Sequence, residues 1–280
     1  MFSILIPTWN NLEYLRLCID SIRKNSSHAH QILVHVNEGK DGTREWVKSQ
    51  GIRASFSENN IGICDAVNHL AALSTSEYVV YMNDDMYCCP GWDEPLLCKA
   101  KSLNTDLFML SGTMVEPTAS RNPCVVNADF GKDVASFDEA GLLRALPGLR
   151  RSNWLGSTWP PTLVRTNIWH RVGGYSTEFS PGMSSDNDFS MKMWQAGCRI
   201  FLGLGESLVY HFQCRSTGKV VKNDGRKQFL RKWGISQSAF DTHFLQRGRL
   251  ADGQDILPGP KNSLGWRFAK LRGEFKRSLT

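Results

Sequence analysis

The chain has 280 residues, 41% of them hydrophobic, 10% aromatic and 21% charged, with a formal net charge of +6 and a pI near 8.9. That composition suits one large globular domain with a modest appendage; it excludes a disordered chain and fits two equal domains poorly. No run approaches the roughly 18 to 20 apolar residues of a membrane span, "MFSILIPTWN" lacks the features of a signal peptide, and the eight cysteines include no C-x-x-C pair, so a reduced, cytosolic protein is expected, with a surface anchor as its one route to a membrane.

In chain order, "FSILIPT" reads as a strand stopped by Pro7, and "NLEYLRLCIDSIRKN" as a helix with Leu12, Leu15, Ile19 and Ile22 on one stripe. "QILVHVNEG" is a second strand, "DGTREWVKSQ" a helix with Asp41 or Thr43 as cap, and "RASFSE" a third strand. A loop with Gly62 and a helix lead to a fourth strand, "EYVVYMNDD". Such alternation predicts a mostly parallel sheet sandwiched by helices, with ligands beyond the carboxyl ends of the strands. "DLFMLSGTMVEP" is a further strand; 117–157 has little periodicity and reads as a loop-rich insertion. "SSDNDFSMKMWQAG" begins a helix beside Asp186 and Asp188, and "RIFLGLGESLVYHF" is a last core strand ending at His211.

The expected organisation is a domain over 1–215, its halves 1–100 and 101–215, followed by a basic helical extension over 216–280. Most of the positive excess lies there. The last helix sets Leu264, Phe268, Leu271, Phe275 and Leu279 on one stripe, which suits either a packed amphipathic helix or an interfacial anchor on anionic lipid over 264–280. Nothing resembles a nucleic-acid-reading module.

Asp84 and Asp85, directly after an apolar strand, suit a hard divalent cation that keeps open positions for phosphate oxygens; a solvated turn is the plainer alternative. "IPTWN" and "NEGKDGT" end the first two strands in polar turns, and "NNIGICDAVN" places Asn60, Gly62 and Asn68 before the acidic strand. In this order, with "NDD" and "PGW" following, the motifs over roughly residues 2–235 resemble the family 2 glycosyltransferases of the GT-A fold.

The resemblance implies an inverting transfer from a nucleotide diphosphate sugar (UDP, GDP or dTDP) to a hydroxyl of a glycan or lipid-linked acceptor, with Mn2+ or Mg2+ at the diphosphate. It implies Asp85 as metal ligand and Asp84 as its neighbour on the ribose or sugar side, with Pro7, Thr8, Asn10 and a residue of "NEG" lining the nucleotide. Where many relatives carry an aspartate that reads the base edge, this chain offers Val36, Asn37 and Glu38, of which Glu38 is the choice. "SSDNDF" resembles the family's E-D-x-D segment with Ser185 in place of glutamate, so Asp186 matches the catalytic base. His211 matches a histidine that can complete the metal site.

Each residue also has a plainer reading. Asp186 or Asp188 could cap the helix that follows, His211 could be a satisfied turn residue, and the tryptophans could be core. Trp154 and Trp159, in the loop-rich stretch, are the acceptor candidates, with Asp188 beside them. Cys88 and Cys89 suggest no role. "GLGESL" lacks the third glycine of a dinucleotide fingerprint, and "PTWNNLEY" lacks the glycine-rich phosphate loop of a nucleotidyltransferase. A non-catalytic carbohydrate- or membrane-binding relative is the remaining alternative.

Overall fold

The computed structural model describes residues 1–214, 223–260 and 263–278. The first strand, β1 (Phe2–Trp9), is buried through Ile6, and α1 (Leu12–Asn25) turns Leu15, Cys18, Ile19 and Ile22 onto it at helical spacing. Next come β2 (Gln31–Asn37), α2 (Thr43–Ser49), β3 (Arg53–Ser57), α3 (Gly62–Ala72) and β4 (Tyr78–Tyr81). These four strands pair in parallel in the order β3-β2-β1-β4, as helix-linked crossovers require.

The chain continues through β5 (Met86–Cys88), α4 (Asp93–Ser102), β6 (Phe108–Glu116), β7 (Val125–Asn127), α5 (Glu139–Leu149), β8 (Trp154–Leu155), β9 (Thr162–Arg165) and α6 (Thr166–Arg171). It then forms α7 (Ser185–Gln195), β10 (Ile200–His211), α8 (Gly225–Trp233), α9 (Gln237–His243) and α10 (Leu264–Ser278). Beyond β4 the sheet is mixed: β9 enters antiparallel between β4 and β6, β10 runs parallel to β6, and β5 closes the edge antiparallel to β10. One large apolar core lies between the sheet and its helices, and a smaller cluster around Tyr87, Leu142, Tyr210 and Phe212 lies under α5.

Two expectations change. The 117–157 stretch contains β7, α5 and β8; α5 escapes a periodicity reading because Leu142 is its one fully buried residue and Pro147 sits within its last turn. A helix, α4, also follows "PGW", with Pro95 in its first turn, where a missing N–H costs little. Described residues beyond 216 pack onto the rest of the chain. Phe229, Phe240, Leu245 and Leu257 belong to the main core, while Leu250 and Ile256 bridge to Trp154 and Ile200. Among the described residues beyond 216, α10 stands at the periphery; Leu279 and residues 215–222 lie outside the described residues.

Candidate active site

A cleft of about 360 Å³ opens beyond the carboxyl ends of the parallel strands, where ligands bind in open α/β sheets. The end of β1 supplies Pro7, Thr8, Trp9 and Asn11, and the end of β2 supplies Asn37. Asn60, Gly62 and Ile63 enter from the start of α3, while Tyr81, Asn83, Asp84 and Asp85 follow β4. Pro181, whose carbonyl accepts the Ile63 N–H at 3.1 Å, and Met183 continue the lining beside α3, and His211, Gln213 and Cys214 follow from β10. Strand pairing explains the convergence: β1 lies between β2 and β4, so three polar strand ends meet at one edge.

The two aspartates differ. Asp85 is 6% exposed; its Oδ2 accepts the Cys214 N–H at 2.7 Å and its Oδ1 lies 3.4 Å from His211 Nε2. His211 Nδ1 is 2.9 Å from Glu116 Oε1, so the ring stands between two carboxylates. Burial works to raise the Asp85 pKa, but the His211 charge and the Cys214 amide outweigh it and hold it below the ordinary value. Burial disfavours charge on His211 too, yet Asp85 and Glu116 carry its pKa up to about 10. Asp84 is pushed up to about 7, first by burial and then by Asp85; Thr8 and Asn11 offset part of this.

Two carboxylates and an imidazole on one wall, facing open space for phosphate oxygens, fit a hard cation shared with a diphosphate. Among the described residues no group of three or more histidine, cysteine, aspartate or glutamate side chains is arranged to hold a metal ion by itself. A cation would therefore take part of its coordination from the ligand. Gln213 Oε1, buried and without a hydrogen-bond partner, is a further acceptor in this wall.

Asp186 begins α7 and stands beside the cleft rather than in its wall. The Tyr175 hydroxyl donates to Asp186 Oδ1 at 2.6 Å, and the Tyr175 ring meets Tyr81, a wall residue, edge-on at 5.6 Å. Burial lifts the Asp186 pKa to about 6, against the Tyr175 hydrogen bond, which lowers it. A carboxyl poised there is mostly ionised at neutral pH yet more basic than a solvated aspartate. Neither Asp186 nor Asp188 makes a side-chain capping bond; the residue before α7 is Ser184, in a left-handed conformation (φ 65°).

Other expected site residues sit elsewhere. Glu38 has φ 59°, which turns its side chain out of the cleft towards Asn10 Nδ2 (3.2 Å) and Lys40 Nζ (3.2 Å). Asn10 and Glu38 thus brace a turn, and Asn37 takes the wall position. Asn68 accepts the Tyr175 N–H and donates to the Tyr175 carbonyl, both at 2.8 Å, so it anchors the partner of Asp186 and does not line the cleft.

Asp188 is wholly buried and takes hydrogen bonds from Ser176 Oγ (2.6 Å), Trp233 Nε1 (2.8 Å) and Lys232 Nζ (2.9 Å). It ties α8 to α7 and does not line the cleft. Trp154 is 3% exposed and lies flat over Gly203, where a Cβ would overlap its indole, and its Nε1 donates to Thr113 Oγ1 at 2.8 Å. "GLG" is therefore the slot for an indole. Trp159 packs on the core beneath Arg247 (4.5 Å), away from the cleft. Cys88 and Cys89 are buried core thiols.

Sequence reading missed Asn11, Asn83, Gln213, Cys214 and Tyr175. Asn11, Gln213 and Cys214 follow from extending "PTWN" and "YHF" along the strand ends, and Asn83 lies within "NDD" itself. Tyr175 has no local signal, because its placement depends on Asn68, 107 residues away.

Residues 3–123 match the family model described as Glycosyl transferase family 2. The chain is 26% identical over 165 residues to the glucosyl-dolichyl phosphate glucuronosyltransferase of Haloferax volcanii, covering 59% of this chain and 50% of the relative. It thus spans about half the length of the curated relative it matches. Among solved structures, S. aureus TarS 1–349 in complex with UDP superposes with a TM-score of 0.56 at 17% identity, over 87% of this chain and 66% of that one. GalNAc-T7 with UDP, GalNAc and Mn2+ gives 0.60 at 14% identity, over 87% and 50%. The likeness shows the GT-A glycosyltransferase fold for this α/β sheet and its helices.

Proposed function

We propose that this chain, a family 2 glycosyltransferase sequence on a GT-A framework, moves a sugar from a nucleotide diphosphate donor to the hydroxyl of a glycan or lipid-linked acceptor, with inversion. The observation that carries the reading is the meeting, at one strand edge, of the Asp84–Asp85–His211 wall with a cleft of about 360 Å³, and of Asp186 behind it. UDP in TarS and UDP with Mn2+ in GalNAc-T7 support a nucleotide ligand and a divalent ion. The dolichyl phosphate in the name of the Haloferax relative supports a lipid-linked acceptor.

Asp85 would hold Mn2+ or Mg2+, with Asp84 and His211 beside it, and the bound ion would supply positive charge where the diphosphate departs. For His211 to offer Nε2, it must give up the proton that pairs it with Asp85. Pro7, Thr8, Asn11 and Asn37 would line the nucleotide, while Asn60 shapes the opposite turn by accepting the Gly62 N–H at 2.8 Å. Asp186 would take the acceptor hydroxyl proton as the oxygen attacks the anomeric carbon, and Tyr175 orients the carboxylate for it. One base and a single displacement give inversion. Among the described residues no helix is long and apolar enough to cross a membrane.

The test is calorimetric titration of UDP, GDP and dTDP, each with Mn2+ and with EDTA, into wild type, Asp85→Asn and Asp186→Asn. One nucleotide should bind wild type and Asp186→Asn only when Mn2+ is present, with binding to Asp85→Asn weakened at least about tenfold. Transfer from the matching sugar nucleotide should fail in Asp186→Asn. Equal binding with EDTA, or full turnover by Asp186→Asn, would sink the assignment; metal-dependent binding without transfer by wild type would favour a non-catalytic binding module.

A further inference from the structure

The last helix buries one face and shows an apolar stripe on the other. Trp266 packs edge-on against Phe244 (5.2 Å) and beside His243 (5.6 Å), and Gly273 lies so close that a Cβ would come 2.9 Å from the Gly234 carbonyl. At 3.6 residues per turn, Trp266 and Gly273 share one side of the helix, and Leu264, Phe268, Leu271 and Phe275 share the other, within an arc of roughly 60°. Their exposures, 72%, 70%, 62% and 66%, confirm that the stripe faces away from the body. An amphipathic helix that served only to pack would be rotated by half a turn.

Charge decides what the stripe meets. Arg267 and Arg272 stand roughly 70° to either side of its centre and Lys276 roughly 110° from it, against one acid, Glu274, while Lys270 and Arg277 fall on the packed side, Arg277 beside Gly234. A second copy laid on this face would bring basic shoulders against basic shoulders, whereas an anionic surface would complement them while accepting the apolar side chains.

We propose that α10 is an interfacial docking helix that seats the protein on an anionic lipid bilayer, its Leu264–Phe268–Leu271–Phe275 stripe in the acyl boundary and its basic shoulders among the headgroups. The proposal rests on the helix alone and stands apart from the proposed transfer.

The full chain is to be sedimented with phosphatidylcholine vesicles with and without phosphatidylglycerol, as wild type, Phe268→Ser/Leu271→Ser and Arg272→Glu/Lys276→Glu. Since these side chains are exposed, unchanged melting curves should accompany every variant. Wild type should partition onto phosphatidylglycerol vesicles and lose this in high salt. The serine variant should bind at least about tenfold more weakly, and the charge-reversal variant should lose its preference for phosphatidylglycerol. Failure of wild type to bind, equal binding by the serine variant, or wild-type self-association that the serine changes abolish would each overturn it. Nucleotide binding in the same samples separates the two readings: if it persists while vesicle binding fails, this proposal alone falls.

Discussion

Replacing Tyr175 by Phe removes one hydroxyl and leaves its ring stacked on Trp169 at 5.3 Å and beside Phe189 at 5.2 Å, so the fold should persist. What is lost is a 2.6 Å hydrogen bond donated to Asp186. A bond of this kind favours the ionised carboxylate and is worth about 1.5–3 kcal/mol; at 1.36 kcal/mol per pKa unit, its loss raises Asp186 by about one to two units. Starting from about 6, the variant should titrate at about 7 to 8. At pH 7 the ionised fraction then falls from about nine-tenths to between one-half and one-tenth, and it recovers near pH 9. Carbon-13 NMR of labelled aspartate, assigned with Asp186→Asn, reads the shift without any substrate. Once donor and acceptor are known, the acidic limb of kcat/KM should move by the same amount. A titration at or below about 6 in Tyr175→Phe would refute the claim that Tyr175 holds Asp186 ionised.

Gly62→Ala should destabilise the protein by about 1–2 kcal/mol in urea melts and weaken nucleotide binding, because Gly62 lies in the cleft wall at φ 78° and a Cβ would sit 3.0 Å from Pro181 Cα; an unchanged midpoint would count against that geometry. Trp154→Ala should cost about 3–5 kcal/mol by opening a cavity over Gly203, while a milder Trp154→Phe keeps wild-type acceptor KM; a selective rise in that KM would restore Trp154 to the site. Asp188→Ala should lose about 3 kcal/mol by leaving Lys232 and the Trp233 N–H without their buried partner, measured by chemical denaturation, with a loss under about 0.5 kcal/mol as the contrary result. In metal-free buffer the His211 value of about 10 lies above its ordinary 6.5; its stabilisation is full below about pH 6.5 and fades as pH rises towards 10. Asp85 is depressed, so its share is present at neutral pH and lost on acidification. The urea stability gap between wild type and His211→Ala should therefore narrow between about pH 6 and pH 10, and a constant gap would contradict the pairing.

The sequence by itself settled the first half of the fold and the location of the cleft. Apolar runs such as "FSILI" and "EYVVYM" can satisfy their backbone in a buried sheet, and the polar residues that end them must emerge at its edge. Since β1, β2 and β4 end in Pro-Thr-Trp-Asn, Asn-Glu-Gly and Asn-Asp-Asp, a polar rim was legible from local pattern alone. Local pattern could not show which neighbour each rim residue would meet. Asp84 and Asp85 are adjacent in sequence, yet only Asp85 receives the amide of Cys214, 129 residues away, and faces His211. Glu38 and Asn37 exchange expected places because one residue adopts a left-handed backbone. Trp154 leaves the surface because Gly203 opens a slot in a strand that follows it by nearly 50 residues. The stripe on α10 was visible as a periodicity, but periodicity fixes only the angle between residues on a helix; which side faces the protein was decided by Trp266 and Gly273 against α8, α9 and their connecting turn.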